Sequence, residues 1–281
     1  MSEGAIASAT SVWTASRAEV GGIAVRLVRI GAAKDPADLP VIVLHGWNAH
    51  LEAIAPIVAP LAEETEVLAL DLPGMGESDD PPEPWGSEDY ARFVAALLER
   101  AGIERCHVVG HSRGGAIAIC LASGQPELVE RMILVDSAGL RPKRGWRYRT
   151  RVAMAKLGRL LGLFGPPGRR LQDRIRGRVA STDYLESSEE MRATFRRVIA
   201  EDLSDRLPGI EKPCLLVWGK QDDDTPLWRG RRMEELLPDG ALVAIDGAGH
   251  FSYADQPAFF ARAARRFLVE QPREAAARGG T

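Results

Sequence analysis

Cys106-His-Val-Val-Gly-His-Ser112-Arg-Gly-Gly-Ala-Ile-Ala-Ile-Cys-Leu121 decides the fold of this chain. A short run ending at Val109 reads as a buried strand, and the Ala/Ile/Leu-rich stretch Ser112–Ser123 reads as a helix. Between them stands Gly-x-Ser-x-Gly, as Gly110-His111-Ser112-Arg113-Gly114. On its own this spacing is weak, because a Gly-rich turn with an N-capping serine has the same letters. Strand, sharp turn and helix in that order make it informative. They lift a serine hydroxyl above the carboxyl edge of a sheet, and small residues at 110 and 114 let the two backbones close up.

Working outward, further apolar runs occur at Val41–Leu44, Val67–Leu70, Met132–Val135, Cys214–Trp218 and Ala241–Ile245. Uninterrupted apolar runs mark strands covered on both faces, hence a mostly parallel sheet under helices. Helical stretches are expected at Glu52–Ala62, Ser87–Ala101, Trp228–Leu237 and Pro257–Leu268, between or after those strands. Arg17–Ile30 alternates about Gly21-Gly22, with Ile23, Val25 and Leu27 on one face, and predicts a hairpin.

The alternation breaks once. Seventy-eight residues, 136 through 213, separate two strands that an ordinary crossover joins with one helix and short loops. Arg141–Arg178 carries thirteen Lys or Arg against Asp173 alone, a local +12, so the overall −3 leaves −15 on the rest of the chain. Met154, Leu157, Leu160, Leu161 and Phe164 recur there at helical spacing, with Arg151, Lys156 and Arg159 on other sides. That is a basic amphipathic helix. It reads first as a lid over a pocket with a solvated basic face. The sharper reading is that it contacts an anionic partner: a phosphate-bearing thioester, an acidic carrier protein or an anionic membrane surface.

A serine hydroxyl needs a base to take its proton and a third group to orient that base. Of the five histidines, His111 adjoins Ser112 and diverges from its hydroxyl, His107 lies within a strand, and His45 and His50 flank the loop after the first buried strand. His250, in Gly247-Ala-Gly-His-Phe251, follows the last strand at the same sheet edge as the elbow. A loop histidine is ordinarily a solvated surface residue; the chain order Ser…Asp…His favours a base. Two carboxylates compete to orient it. Asp222, in Trp218-Gly-Lys-Gln-Asp-Asp-Asp-Thr-Pro226, precedes His250 by 28 residues, room for a helix and a strand, and is preferred; Asp136 is the alternative. Asp223 and Asp224 read as solvated loop charges, and no second cluster with ligand spacing accompanies them, so no metal is expected. Acyl transfer also needs two donors for the developing oxyanion. The backbone N–H groups of Arg113 and of Trp47, in Leu44-His-Gly-Trp-Asn48, are placed to supply them.

From about Ile23 to Leu268 the sequence resembles the α/β-hydrolase superfamily, in its short single-domain esterase-like branch. The resemblance is carried by His45-Gly-Trp47, Asp71-Leu-Pro-Gly-Met-Gly-Glu-Ser78, Gly110-His-Ser-Arg-Gly114, Trp218-Gly219…Asp222…Pro226 and Gly249-His250, in the family's order. It implies an eight-stranded mostly parallel sheet flanked by helices, a helical lid inserted after the sixth strand, and a cofactor-free Ser-His-Asp triad. Carried across, Ser112 is the nucleophile, His250 the base and Asp222 the acid. The core is then expected over 15–136 and 209–272, the lid over 137–208, and flexible termini over 1–14 and 273–281. Arg113 departs from the Met, Leu or Gln of many relatives. At a pocket mouth it would bias the substrate toward anions, or it would pair with a neighbouring carboxylate.

The reading that follows is a serine hydrolase cleaving a small carboxylic ester or thioester through an acyl-enzyme. Carbon–carbon bond hydrolases and perhydrolases use the same residues, and a ligand receptor with a vestigial triad is a non-enzymatic alternative. Ser112 excludes relatives with a carboxylate nucleophile; Asp71–Gly76 lacks the third glycine of a dinucleotide site, and no Walker lysine motif is present. Composition agrees with a globular enzyme: 281 residues, 45% hydrophobic and 27% charged. No nucleic-acid partner is expected at net −3 and pI near 6.0. Three separated cysteines without a CxxC pair, no signal-like amino terminus and no long apolar window point to a cytoplasmic protein.

Overall fold

The computed structural model describes residues 13–141 and 188–279. The chain divides into two compact units, one of Met1–Leu140 with Glu201–Thr281, the other Arg141–Ala200.

The first unit holds an eight-stranded sheet in the order β1-β2-β4-β3-β5-β6-β7-β8. β1 (Ser16–Val20) and β2 (Ile23–Ile30) form the expected hairpin, and β2 runs antiparallel to β4 (Val67–Leu70). The remaining pairs, through β3 (Val41–Leu44), β5 (Cys106–His111), β6 (Val129–Val135), β7 (Cys214–Gly219) and β8 (Gly240–Ile245), are parallel. Each apolar run is therefore a strand, because a central parallel strand has no wet face. In β3, Val41 and Val43 join a cluster with Ile54, Ile57 and Leu61 on or just before helix α1 (Ala55–Ala62) and with Phe260 and Ala264. Ile42 and Leu44 alternate to the other face and are equally buried.

Helices α2 (Ser87–Arg100) and α3 (Arg113–Gly124) pack on one another, and α3 is buried from Arg113 through Ala122. In α2, Gly86 N–H donates to Asp89 Oδ2 at 2.7 Å, closing its first turn with an acid at the positive end of the helix dipole. The Asp71–Ser78 motif folds around its own aspartate: Oδ1 accepts from Leu51 N at 2.7 Å, Oδ2 accepts from Glu77 N at 3.0 Å, and Ser78 Oγ donates to Asp71 O at 2.6 Å. The three cysteines are free and buried, and burial pushes the Cys106 and Cys120 thiols up to about 12, which suits core residues.

In the second unit the described helix is α4 (Glu189–Ala200), which begins on two acids, with Met191 N–H donating to Ser188 Oγ at 3.2 Å. The expected basic helix around Met154–Phe164, and with it most of the expected lid, lies outside the described residues. Helices α5 (Trp228–Leu236), α6 (Ser252–Asp255) and α7 (Pro257–Arg265) complete the first unit before one π-helical turn, Arg266–Glu270. Gln271–Gly279, most of it within the stretch expected to be a flexible end, is helical. Arg273 explains it, gripping Asp38 with Nε on Oδ1 and NH2 on Oδ2, both at 2.7 Å. Its planar fork makes two parallel charge-assisted bonds that composition does not reveal. Among the described residues, no helix is long and apolar enough to cross a membrane.

Candidate active site

Two neighbouring parallel strands run directly into residues with an unusual backbone. Ser112 follows β5 at φ 51 and ψ −113, and Asp136 follows β6 at φ 45. Positive φ outside glycine is strained and persists only where its surroundings enforce it. Around Ser112 they do. Ser112 N–H donates to Val135 O at 2.9 Å, extending the ladder one residue beyond β5, while Ala138 N–H donates to Ser112 O at 2.8 Å. A Cβ at Gly110 would collide with the Gly114 carbonyl, and one at Gly114 with the Leu44 carbonyl. Both glycines are thus demanded by backbone approach, as the motif predicts.

Ser112 Oγ lies 3.0 Å from His250 Nε2, and His250 Nδ1 lies 2.9 Å from Asp222 Oδ2. The tautomer follows from the partners: Nδ1–H donates to the carboxylate, leaving the Nε2 lone pair to accept from the serine hydroxyl. Burial opposes ionisation of both groups, yet their mutual hydrogen bond prevails, holding Asp222 below and His250 above the ordinary range. Asp222 Oδ1 also accepts from Asp224 N and Thr225 N, each at 2.8 Å, so the carboxylate is fixed at both oxygens. Such a chain can move a proton from the hydroxyl to the imidazole and stabilise the imidazolium it creates.

Thr225 was not legible as part of this chain. Its Oγ1 sits 2.6 Å from Asp222 Oδ2, 2.8 Å from Asp136 O and 3.2 Å from His250 Nδ1. One hydroxyl proton serves either the carboxylate or the carbonyl, and the shorter contact matches a charge-assisted bond to Asp222. Only its place three residues after Asp222 hints at an Asp-centred turn.

Asp136, the alternative acid, faces different partners. Its Oδ1 accepts from Gly219 N at 2.8 Å and its Oδ2 from Ser252 N at 2.9 Å, so it ties the end of β7 to the start of α6, two residues after His250. Burial raises it to about 7 against the N–H bonds that favour the charge. A folded value above the unfolded 3.8 means that the native state holds the extra proton, so this group's contribution falls as pH rises from 3.8 to about 7 and is level beyond. Asp136→Asn places an amide N–H against one of the two N–H donors. We expect a loss of about 2 kcal/mol of stability, read by thermal melting, with the surviving folded enzyme still active. A variant that melts normally but loses turnover on the scale of an Asp222 variant would instead make Asp136 the orienting acid.

Two further histidines, His111 and His45, are supports. His111 Nε2–H donates to His250 O at 2.8 Å, and its ring lies tilted at 50° with its centroid 5.0 Å from that of His250; burial pushes it down to about 3, so it is neutral. His45, pushed down to about 4 by burial, donates from Nδ1 to Gly46 O at 2.7 Å and accepts at Nε2 from Leu72 N at 2.9 Å. The Gly46–Trp47 peptide is planar. Holding its carbonyl therefore also fixes the direction of the Trp47 N–H. A Cβ at Gly46 would lie 3.3 Å from Ser112 Cβ, so this loop rests directly on the serine. Arg113 is the first residue of α3, where no intrahelical acceptor exists for its N–H.

The Arg113 side chain is not at a pocket mouth and joins no ion pair among the described residues. It is 3% exposed, its guanidinium carbon 4.2 Å from the Tyr90 ring centroid and 5.0 Å from that of Trp47. Desolvated cation–π contacts of this kind contribute up to about 2 kcal/mol each. Burial lowers its basicity, offset by electrostatic pull from Tyr90 and Glu201. Tyr90 enters from α2, where only helical periodicity was visible.

One group of ligand-type atoms within 4.8 Å exists among the described residues, formed by Asp222, Asp224 and His250. Asp222 and His250 are already committed to each other there.

Residues 41–263 match the alpha/beta hydrolase family. An uncharacterized protein of Mycobacterium tuberculosis is 29% identical over 257 residues, covering 81% of this chain and 74% of that protein. A putative carbamate hydrolase of Pseudomonas savastanoi pv. phaseolicola is 27% identical over 251 residues, covering 84% of this chain and 96% of its own. Among solved structures, the enol-lactonase of Burkholderia xenovorans shares the fold with a TM-score of 0.70 at 23% identity, over 90% of this chain and all of that one.

Proposed function

Because this chain belongs to the alpha/beta hydrolase family, we propose that it is a serine hydrolase that cleaves a carboxylic ester or thioester through an acyl-enzyme on Ser112. The observation that carries the reading is the unbroken chain of hydrogen bonds from Ser112 Oγ through His250 to Asp222, at 3.0 and 2.9 Å. In the first half-reaction Ser112 Oγ attacks the carbonyl carbon as His250 Nε2 takes its proton. The oxyanion forms against the N–H groups of Trp47 and Arg113, each such donor contributing roughly 3–4 kcal/mol. His250 then returns the proton to the departing alcohol or thiol, leaving Ser112 acylated. In the second half, water gives a proton to His250 and attacks the acyl carbon, and collapse of that intermediate returns the proton to Ser112.

A fluorophosphonate probe phosphonylates an activated serine hydroxyl with loss of fluoride. Incubation followed by peptide mass mapping is expected to place one adduct on the peptide containing Ser112, with matching loss of hydrolysis of a chromogenic ester panel. Labelling elsewhere, or ester turnover that survives complete labelling, would sink the proposal.

A further inference from the structure

We infer that the Arg113 guanidinium is a recognition site for a carboxylate carried on the acyl part of the substrate, so that the preferred substrates are monoesters or monothioesters of short dicarboxylic acids. The inference rests on the serine-hydrolase reading and adds the chemistry of the group being cleaved.

Its basis is an uncompensated cation. Among the described residues, Nε and both terminal nitrogens of Arg113 are buried without a well-aligned hydrogen-bond partner. Buried polar groups are almost always paired, and a buried charge without a partner calls for one. The surroundings do not supply it. Tyr90 offers its ring and its hydroxyl oxygen, the hydroxyl proton going to Pro73 O at 2.8 Å, and Trp47 offers its ring. Glu201 accepts from Ser87 N at 2.9 Å and Ser87 Oγ at 2.5 Å and makes no ion pair with Arg113. The aromatic contacts stabilise the positive charge through ring faces, and the Tyr90 hydroxyl oxygen answers at most one donor, which leaves the other in-plane N–H groups of the guanidinium unanswered. Two parallel N–H groups at the edge of a guanidinium fit the two oxygens of a carboxylate.

Position selects the acyl side. Arg113 immediately follows Ser112, and its backbone N–H is one of the two proposed oxyanion donors. The guanidinium lies against the ring of Trp47, which supplies the other. The two residues that would hold the scissile carbonyl oxygen thus also meet through their side chains. On this reading a carboxylate carried a few bonds from that carbonyl is the group that meets the guanidinium. Binding it neutralises the guanidinium and satisfies its donors in one step, whereas a neutral acyl chain leaves them unpaired, a penalty that gives sites of this kind strong discrimination.

The test compares kcat/KM for 4-nitrophenyl monoesters of succinate, glutarate and adipate with the uncharged butyrate, valerate and hexanoate esters of equal length. The wild-type enzyme is expected to favour at least one charged member by about tenfold or more, with an optimum chain length. Arg113→Met is expected to bring that ratio to one or below, and Arg113→Lys, which keeps charge but loses the fork, to an intermediate value. A wild-type ratio at or below one overturns the inference without any variant. So does a ratio that survives Arg113→Met or, should that variant not fold, one undiminished in Arg113→Lys. Ester turnover that depends on Ser112 but ignores charge sinks only the carboxylate site; turnover that persists in Ser112→Ala sinks the serine reading itself.

Discussion

Ser112→Ala is expected to lower kcat on any ester the enzyme accepts by roughly 10⁶-fold, the loss seen when a nucleophile acting as part of a unit is removed. Stability is expected to stay near the wild-type value. The Ser112 side chain makes one hydrogen bond, to His250 Nε2, and the backbone at φ 51 is equally strained with alanine. The neighbouring collisions that enforce the turn belong to Gly110 and Gly114 and are untouched. Steady-state turnover and thermal melting check both halves together. Residual activity above about one part in 10³, with an unchanged melting temperature, would mean that chemistry proceeds through another group.

Asp222→Asn is expected to lower kcat by about 10⁴-fold with the site geometry otherwise intact, because an amide cannot hold the same imidazole tautomer. Oδ1 serves the N–H groups of Asp224 and Thr225, so the amide oxygen is drawn to that side. The amide N–H₂ then faces His250 Nδ1, which must accept, and the ring proton moves to Nε2 opposite the serine hydroxyl. The pH profile distinguishes this from simple misfolding. His250 acts as a base only when neutral, so activity rises with pH through its pKa, which the wild-type carboxylate holds above the ordinary 6.5. With the charge removed, burial is the largest remaining influence and acts downward. The acid limb of kcat/KM should therefore move to lower pH while the plateau falls. A limb that stays in place would show that Asp222 does not set the protonation of His250.

Much of the fold was legible because its central strands are buried on both sides. Val41–Leu44, Val67–Leu70 and Met132–Val135 are apolar at every position and could not be mistaken for wet strands. Ser112 and His250 were legible from local backbone demands, the glycines around one and the strand end before the other. Less was written for the groups that act across the fold. Asp136 reaches a backbone amide 116 residues away, at Ser252, and Tyr90 meets Arg113 from the middle of a helix. Neither relation has a period or a neighbouring motif, since each depends on where two separate elements come to rest. The helical end at Gln271–Gly279 was missed for the same reason, its Arg273 being paired with Asp38 at the other end of the sequence.

The bond from Asp136 Oδ1 to Gly219 N joins the ends of two parallel neighbours, β6 and β7, at one edge of the sheet; the long intervening segment leaves at that edge, after Val135, and returns at the opposite one, where β7 begins at Cys214. The entropy of closing a loop on fixed ends grows only logarithmically, so doubling its length costs about 0.6 kcal/mol. Both ends of this segment are fixed in neighbouring strands, so a change in its length carries a small entropic cost, while the distances among serine, histidine and aspartate are held by the strands beneath. The Asp136 carboxylate thus binds the strand end that leads to Asp222 and the turn that follows His250 to a single point, whatever the length of chain between the two strands.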